Sequence, residues 1–469
     1  MLKKLMEKNK LKLTVVLLAA IVFVVGWLLP VKLEGEAPSV LLDLKFPAIG
    51  KSQKVSVSVS DKNSGIRKIW VGLLKGGKEL VLFKEDYPAA GLFDTDKILE
   101  DEFDIQIEPQ KLGITDGKGV LRVMASDFSW RRWWNGNKTV VEKEVVIDTR
   151  SPELDVLSSV HNISQGGSGL VIYRVSEPCP TNGVQVGDNF FPGYPARNVI
   201  ALPQSSEASD TSEIFMAFIA LRHDQGSDTD LFVKTADYAG NTASAGFRHY
   251  IRKRSFKKDI IKLSDNFLNR KMPEFDSGMA HESSATPMEK FLAINRELRA
   301  ANYEKIVQVG EHTDSKLYWD GAFLRLPNSA RKAGFADRRE YQYDERVIDQ
   351  QVHMGIDLAS IPRAPVPAAN AGKVSFVGDI GIYGKTVIID HGFGLFSTYS
   401  HLSHASVEQG QMVSKKDVIG QTGKTGFVFG DHLHFGILVH NIFVDPVEWW
   451  DAAWIENNIL SKMNEMKSQ

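Results

Sequence analysis

The sequence predicts a mainly β protein assembled in series: an N-terminal transmembrane helix, two β-sandwich modules, a helical linker and a C-terminal antiparallel-β domain. Three observations carry that prediction. Residues 13–31 read LTVVLLAAIVFVVGWLLPV without a charge, residues 40–251 hold short alternating runs split by turn clusters, and glycine becomes dense from Gly372 to Gly430. At 469 residues the chain exceeds one ordinary domain and has room for about three, each with its own core.

The first twelve residues, MLKKLMEKNKLK, carry five lysines against one glutamate. At about 1.5 Å per residue, the uncharged run that follows spans roughly the hydrocarbon thickness of a bilayer. A cleaved signal peptide is the competing reading, but PVKLEGEAPS offers no clear small-x-small cleavage site. The expectation is an uncleaved single-pass anchor, with residues 1–12 in the cytoplasm and 13–31 across the inner (cytoplasmic) membrane. By the positive-inside rule, everything after Lys32 then lies on the periplasmic, extracytoplasmic side. Lys and Arg number 56 against 58 Asp and Glu, a net charge of −2, so no nucleic-acid partner is expected. The single cysteine, Cys179 in EPCP, excludes an intramolecular disulfide and any multi-cysteine metal cluster, and reads as an inert thiol.

Residues 35–148 form the first expected β module. KVSVSVSD, KIWVGLL, ELVLFK, GVLRVMASD and TVVEKEVVID alternate in polarity and are separated by KNSG, GGK, TDGKG and NGN. Residues 149–252 form the second, with LVIYRVSE, EIFMAFIALR and LFVKTADYAGN. VLRVMASD at 120–127 and LFVKTAD at 231–237 echo each other, each an alternating strand ending in Asp before an aromatic residue. With the D-x-x-G-N turn in TADYAGN, these stretches resemble bacterial immunoglobulin-like domains. Trp130, Trp133 and Trp134 in SWRRWWNGN admit two readings, a sugar-stacking platform or packing over the sandwich end, and packing is the favoured one.

From 253 to 310 the period changes to that of a helical linker. SFKKDIIKLSDNFLNRKMPEF places Ile260, Ile261, Leu263 and Phe267 near helical spacing and ends at Pro273. TPMEKFLAINRELRAANYEKIVQVG reads as an amphipathic helix opened by Thr286 and Pro287, with Glu289 at the capping-box position. The glycine-rich C-terminal domain is expected over 311–450, followed by a tail at 451–469.

That last domain carries the chemistry. In GDHLHFGILVH, His432 and His434 stand at i, i+2; on a strand both imidazoles share one face while Leu433 and Phe435 face the other way. QVHMGIDLAS adds His353 and Asp357, which a straight strand would hold about 13 Å apart, and Gly355 between them permits a bend. Histidine and carboxylate ligands without cysteine fit a catalytic zinc site with a position open for water. His401 in TYSHLS follows a strand and can face the same cleft. His391 in IIDHGFG reads as structural or as a groove wall, and His404 and His440 as surface residues.

H-x-x-x-D at 353–357, Y-x-H-L at 399–402 and G-x-H-L-H-F at 430–435, in this order, closely resemble the M23 metallopeptidases of the lysostaphin and LytM type. PVPAANAGKV, VIIDHGFG and VEQGQMVSKKDVIGQTGKTG agree, and the match reaches upstream to GFADRREY, although many members have Gly where this chain has Ala336. The resemblance implies that His353, Asp357 and His434 bind zinc, while His401 and His432 stay off the metal and act on the water and the transition state. Three ligands leave a tetrahedral ion one open position, and four would close it. It further implies hydrolysis of peptide cross-links in bacterial peptidoglycan, whose stem peptides would be the partner. The principal rival is a non-catalytic M23-like scaffold that activates other wall hydrolases; a sugar-binding protein led by the β modules is a third reading.

Overall fold

The computed structural model describes residues 2–89, 97–199, 212–275 and 285–467, with the side chains of 2–10, 27–31 and 467 outside the description. The chain divides into two compact units, one of Met1–Pro152 with Ala236–Thr242 and one of Glu153–Thr235 with Ala243–Gln469. A helix runs over Leu2–Lys32. Among the described residues no helix is long and apolar enough to cross a membrane. The span expected at 13–31 therefore has no support from the described residues.

The first unit is a sandwich of two sheets. One orders Ser39–Asp43, Gln53–Ser60 and Glu100–Ile107; the other orders Ala48–Ile49, Lys138–Ile147, Gly117–Asp127, Ile66–Lys75 and Lys78–Asp86. Alternation decides which residues meet between them. Val55, Val57 and Val59 from one sheet and Ile69, Val71, Leu121 and Val123 from the other are fully buried. Each such side chain contributes about 1.5–3 kcal/mol relative to exposure.

The echo between 120–127 and 231–237 is structural. Asn137 donates its backbone N–H to Asp127 Oδ1 (2.6 Å) and its side-chain amide to Oδ2 (2.8 Å). Asn241 does the same to Asp237, at 2.9 and 2.8 Å. The turns between these clamped pairs differ. In the first, Arg132, Trp133 and Trp134 take left-handed φ values of 52°, 57° and 68°, and Trp133 and Trp134 remain 92% and 62% exposed. Packing over the sandwich end was the expectation for Trp130, Trp133 and Trp134; Trp130 is half-buried against Trp134, while Trp133 and Trp134 turn outward above the clamp.

The second unit shares one core. Leu170, Phe218, Phe291, Phe323, Phe396 and Trp449, drawn from three of the regions distinguished in the sequence, belong to a single cluster of buried side chains. Glu448 reaches back to accept the Ser168 N–H at 2.9 Å, and Trp449 Nε1 donates to Ser168 Oγ at 3.1 Å. Residues after 451 continue as helical turns over Ala452–Ile455, Glu456–Leu460 and Ser461–Lys467. Ile455, Ile459 and Met463 are buried in the shared core, and Lys462 Nζ donates to Leu170 O at 2.9 Å.

In the 253–310 segment the expected helix start gives way to a strand. Lys258–Lys262 pairs in parallel with Arg338–Tyr343, and the helix begins only at Asp265, capped by Ser264 accepting the Phe267 N–H. Ile260 and Ile261 are β-branched and find a free strand edge, which outweighs their helical spacing. The second helix has the expected capping box at Thr286 and Glu289 with proline at its first turn.

The glycine-rich region folds into an eight-stranded antiparallel sheet. Its main path orders Ala330–Ala333, Ile356–Ala359, Leu433–Val439, Leu395–Ser400, Lys385–Asp390, Gly372–Asp379 and Met412–Val413, with Ile442–Val444 added beside Leu433–Val439.

Burial lifts the Glu448 carboxyl from 4.5 to about 7. Because the folded value lies above the unfolded one, the folded state holds the extra proton between pH 4.5 and 7, and stability falls as pH rises through that window. Glu448→Gln, which keeps a neutral acceptor, is expected to flatten this slope. Thermal melts of both proteins from pH 5 to 8 test it, and parallel curves would refute the assignment.

Candidate metal centre

The strand Ile356–Ala359 pairs with Leu433–Val439 so that Asp357 lies directly opposite His434. His353 sits in the bend before that strand, its N–H bonded to Asp337 O (3.0 Å) and its carbonyl accepting the Ala336 N–H (2.8 Å). Gly355 makes the bend possible: a Cβ there would stand 2.5 Å from His434 Nε2 and 2.8 Å from Phe435 O. Ala336 takes a left-handed φ of 58°, a conformation that glycine adopts at less cost.

Three atoms converge. His353 Nε2 lies 3.0 Å from Asp357 Oδ1 and 3.0 Å from His434 Nδ1, and His434 Nδ1 lies 2.9 Å from Asp357 Oδ1. The opposite nitrogens are committed: His353 Nδ1 donates to Gly334 O at 2.8 Å and His434 Nε2 to Met354 O at 3.2 Å. A carbonyl can only accept, so in the tautomer these bonds select the nitrogen facing Asp357 bears a lone pair. Burial, its largest cause, lowers the His434 pKa to about 4, which keeps that ring neutral. Two bare nitrogens and a carboxylate oxygen turned on one another repel unless a cation lies among them. The edge of a tetrahedron with zinc–ligand bonds of 2.0–2.1 Å is about 3.3 Å, close to these separations. The donor set therefore fits a zinc ion.

The second oxygen of Asp357 is taken by Arg339, whose Nη2 donates to Oδ2 at 2.8 Å. Arg339 thereby divides the carboxylate, with Oδ2 for itself and Oδ1 for the two imidazoles. Sequence reasoning missed this residue. The available signal was a basic pair on a strand just upstream of a carboxylate that needs one oxygen held.

His401 and His432 stand beside the triangle. His401 follows the strand Leu395–Ser400 in a left-handed conformation with φ 65°. Its N–H bonds to Tyr383 O and its Nδ1 donates to Thr425 O, at 2.8 and 2.9 Å. Burial first, then the neighbouring His432 and His434, push its pKa well down, so the ring is neutral with Nε2 bare. His432 precedes the strand and bridges Gly423; its Nδ1 donates to Gly430 O at 2.8 Å, and its Nε2 lies 3.6 Å from Asp357 Oδ1. Burial pulls the His432 pKa down, but its hydrogen bond and attraction to Asp357 outweigh that and raise it. The His401 ring is 5.0 Å from His432 and 5.7 Å from His434, centroid to centroid. All five residues singled out in the sequence thus line one cleft of about 550 Å³, together with Arg339, Tyr383 and residues of the strand Lys258–Lys262. Leu433 and Phe435 are buried on the opposite face, as strand alternation requires.

The remaining histidines lie apart. His391 is buried and structural, with Nδ1 donating to Ala371 O and Nε2 facing Ser397 Oγ, both at 2.7 Å. His404 is exposed. His440 is more covered than a surface residue, its ring lying nearly parallel to Tyr194.

Two substitutions test the metal geometry. Gly355→Ala is expected to abolish zinc uptake by displacing His434. Arg339→Met is expected to weaken it about 10–100-fold, as loss of a partner behind a metal ligand does. Competition against a chromogenic chelator measures both, with circular dichroism confirming the fold; wild-type affinity in either variant would refute the corresponding role.

Comparison with known proteins places part of the chain in a family. The model of Peptidase family M23 matches residues 351–446. The DD-carboxypeptidase/endopeptidase Mpg of Neisseria meningitidis serogroup B is 40% identical over 97 residues, which are 21% of this chain and 22% of that protein. The peptidoglycan DD-endopeptidase ShyB of Vibrio cholerae is 34% identical over 116 residues, 25% of this chain and 26% of that protein. The chain thus spans about a quarter of the length of these curated relatives. The catalytic domain of lysostaphin from Staphylococcus simulans is 26% identical, with 28% of this chain and 98% of that one covered at a TM-score of 0.24. Residues 351–446, which hold His353, Asp357, His401, His432 and His434, are a peptidase family M23 domain.

Proposed function

We propose that this protein is a zinc metalloendopeptidase that hydrolyses peptide cross-links of bacterial peptidoglycan. The observation that carries the proposal is the triangle of His353 Nε2, Asp357 Oδ1 and His434 Nδ1, with sides of 2.9–3.0 Å and two further histidines at its edge. The substrate is taken from the activities for which relatives sharing the domain are named.

When bound, zinc supplies Lewis acidity that activates a water and polarises the scissile carbonyl. The chain supplies the rest. His353, Asp357 and His434 would hold the ion, and Arg339 keeps Asp357 to a single oxygen. His401, neutral and with Nε2 toward the cleft, is placed to accept a proton from the attacking water. His432, whose Nε2 also faces the site, is placed to donate to the oxygen on which negative charge develops, or to share the proton transfer. The strand Lys258–Lys262 walls one side of the cleft and shields these groups from bulk water.

We further infer that residues 13–31 tether the protein to the cytoplasmic membrane with both units on the extracytoplasmic side, and that the two β modules are immunoglobulin-like spacers. Supporting the tether, Leu13, Val16, Leu18, Val22 and Phe23 lie exposed around their helix. The rival scaffold reading predicts a groove without a full ligand set, and here the set converges.

Full-length protein purified in detergent is expected to release cross-link fragments from isolated sacculi, read by mass spectrometry, and to lose this activity with a chelator and regain it with zinc. Sacculi left intact, but bound, would favour the scaffold. His401→Ala and His432→Ala are each expected to lower kcat about 10²–10⁴-fold while zinc is retained; full turnover in both would remove them from the chemistry.

A further inference from the structure

The loop Trp130–Asn137 has no part in the site and is built at some cost. Left-handed backbone costs roughly 1–2 kcal/mol per non-glycine residue, and three successive residues, Arg132, Trp133 and Trp134, adopt it. Strain of that kind persists only where surrounding structure imposes it. Asp127 and Asn137 clamp its base, and Arg67 Nη1 donates to Trp134 O at 2.9 Å. The conformation buries neither outer ring, since Trp133 is 92% and Trp134 62% exposed. A structure that spends backbone energy to expose two large aromatics presents them to something.

Position indicates what. The loop is fastened to the end of the helix Leu2–Lys32: the Trp130 N–H donates to Lys32 O at 2.6 Å, Ser129 Oγ donates to the same carbonyl at 3.3 Å, and Arg131 Nε donates to Leu33 O at 2.9 Å. That helix carries Leu13, Val16, Leu18 and Phe23 exposed upstream. Tryptophan is enriched where apolar helices leave a bilayer, because its ring is apolar and its N–H needs a polar partner; arginine beside it keeps a charged head among phosphates. Arg131 and Arg132 occupy that place. A sugar platform would call for rings held side by side, whereas Trp133 stands almost free and Trp130 and Trp134 are tilted by 51°.

We propose that Trp133 and Trp134 form an interfacial anchor that seats the first β unit on the phospholipid headgroup layer where the N-terminal helix emerges, with Arg131 and Arg132 facing lipid phosphates. The proposal rests on the reading that residues 13–31 enter a bilayer. It adds a second attachment beside the helix, which fixes the angle at which the first unit leaves the membrane.

The test uses the full chain reconstituted into phosphatidylethanolamine and phosphatidylglycerol vesicles containing lipid brominated close to the headgroup. Tryptophan emission is compared between the wild type and the double variant Trp133→Phe, Trp134→Phe, in which apolar rings remain but the fluorophores are gone. The expected result is co-flotation of both proteins with the vesicles and loss of roughly half or more of the bromine-quenched emission in the variant, as rings at headgroup depth require. Co-flotation with equal quenched emission in both overturns the anchor and leaves the helix in the bilayer. Failure of the wild type to float overturns the membrane reading and the anchor together. A Trp133 and Trp134 emission shift on adding peptidoglycan glycan strands, without bromine quenching, overturns the anchor in favour of a sugar platform.

Discussion

The pairing of Asp357 against His434 across adjacent antiparallel strands is the constraint on which the site depends. A slip of one residue in that register would send one of the two side chains to the opposite face and place it in the core. The core prevents the slip, because Ile356, Leu358, Leu433 and Phe435 fill the other face and are buried. Packing on one side of the sheet therefore aligns chemistry on the other. His353 joins from a bend, and backbone carbonyls fix the tautomers: each of His353, His401, His432 and His434 spends one ring nitrogen on a carbonyl within 3.2 Å, so the other nitrogen faces the cleft.

Some of this was legible in the sequence because it is local. The spacing of His432 and His434 within a strand-like run implies one face, and the capping box at Thr286 and Glu289 implies a helix start; both depend on residues a few positions apart. Arg339 was not legible as a partner of Asp357, since nothing within the strand Arg338–Tyr343 states which oxygen it will meet. The strand Lys258–Lys262 was misread as helix because Ile260, Ile261, Leu263 and Phe267 satisfy a helical spacing, while the free edge it joins lies some eighty residues further along the chain. The tryptophan loop was misread for a different reason. Propensity favours right-handed backbone at Arg132, Trp133 and Trp134, and only the clamp around them selects the other hand.

The single core of the second unit changes how its parts relate. Ser168 and Glu448 are 280 residues apart in sequence yet share a buried hydrogen bond at 2.9 Å. Phe218 from the second β module lies against Trp319 and Trp449, with ring centroids 6.3 and 5.9 Å away. A module joined in this way stiffens the sheet that carries the histidines, where a loosely hung spacer would leave that sheet to support itself. Rigid support of this sort is what holds converging ligands within the few tenths of an ångström that metal binding demands.

Closure of that core also sets an order of events during synthesis. Leu170, near the start of the second unit, offers its carbonyl to Lys462, and Ile455, Ile459 and Met463 complete the same apolar cluster. At the usual rate of about 5–20 residues per second, tens of seconds separate the emergence of the first partner from that of the last. Throughout that interval the strands Ser168–Val175 and Glu213–Ala220, nearly all apolar, lack the surface that finally covers them. The apolar cluster of the unit is therefore completed only when residues 455–463 have emerged.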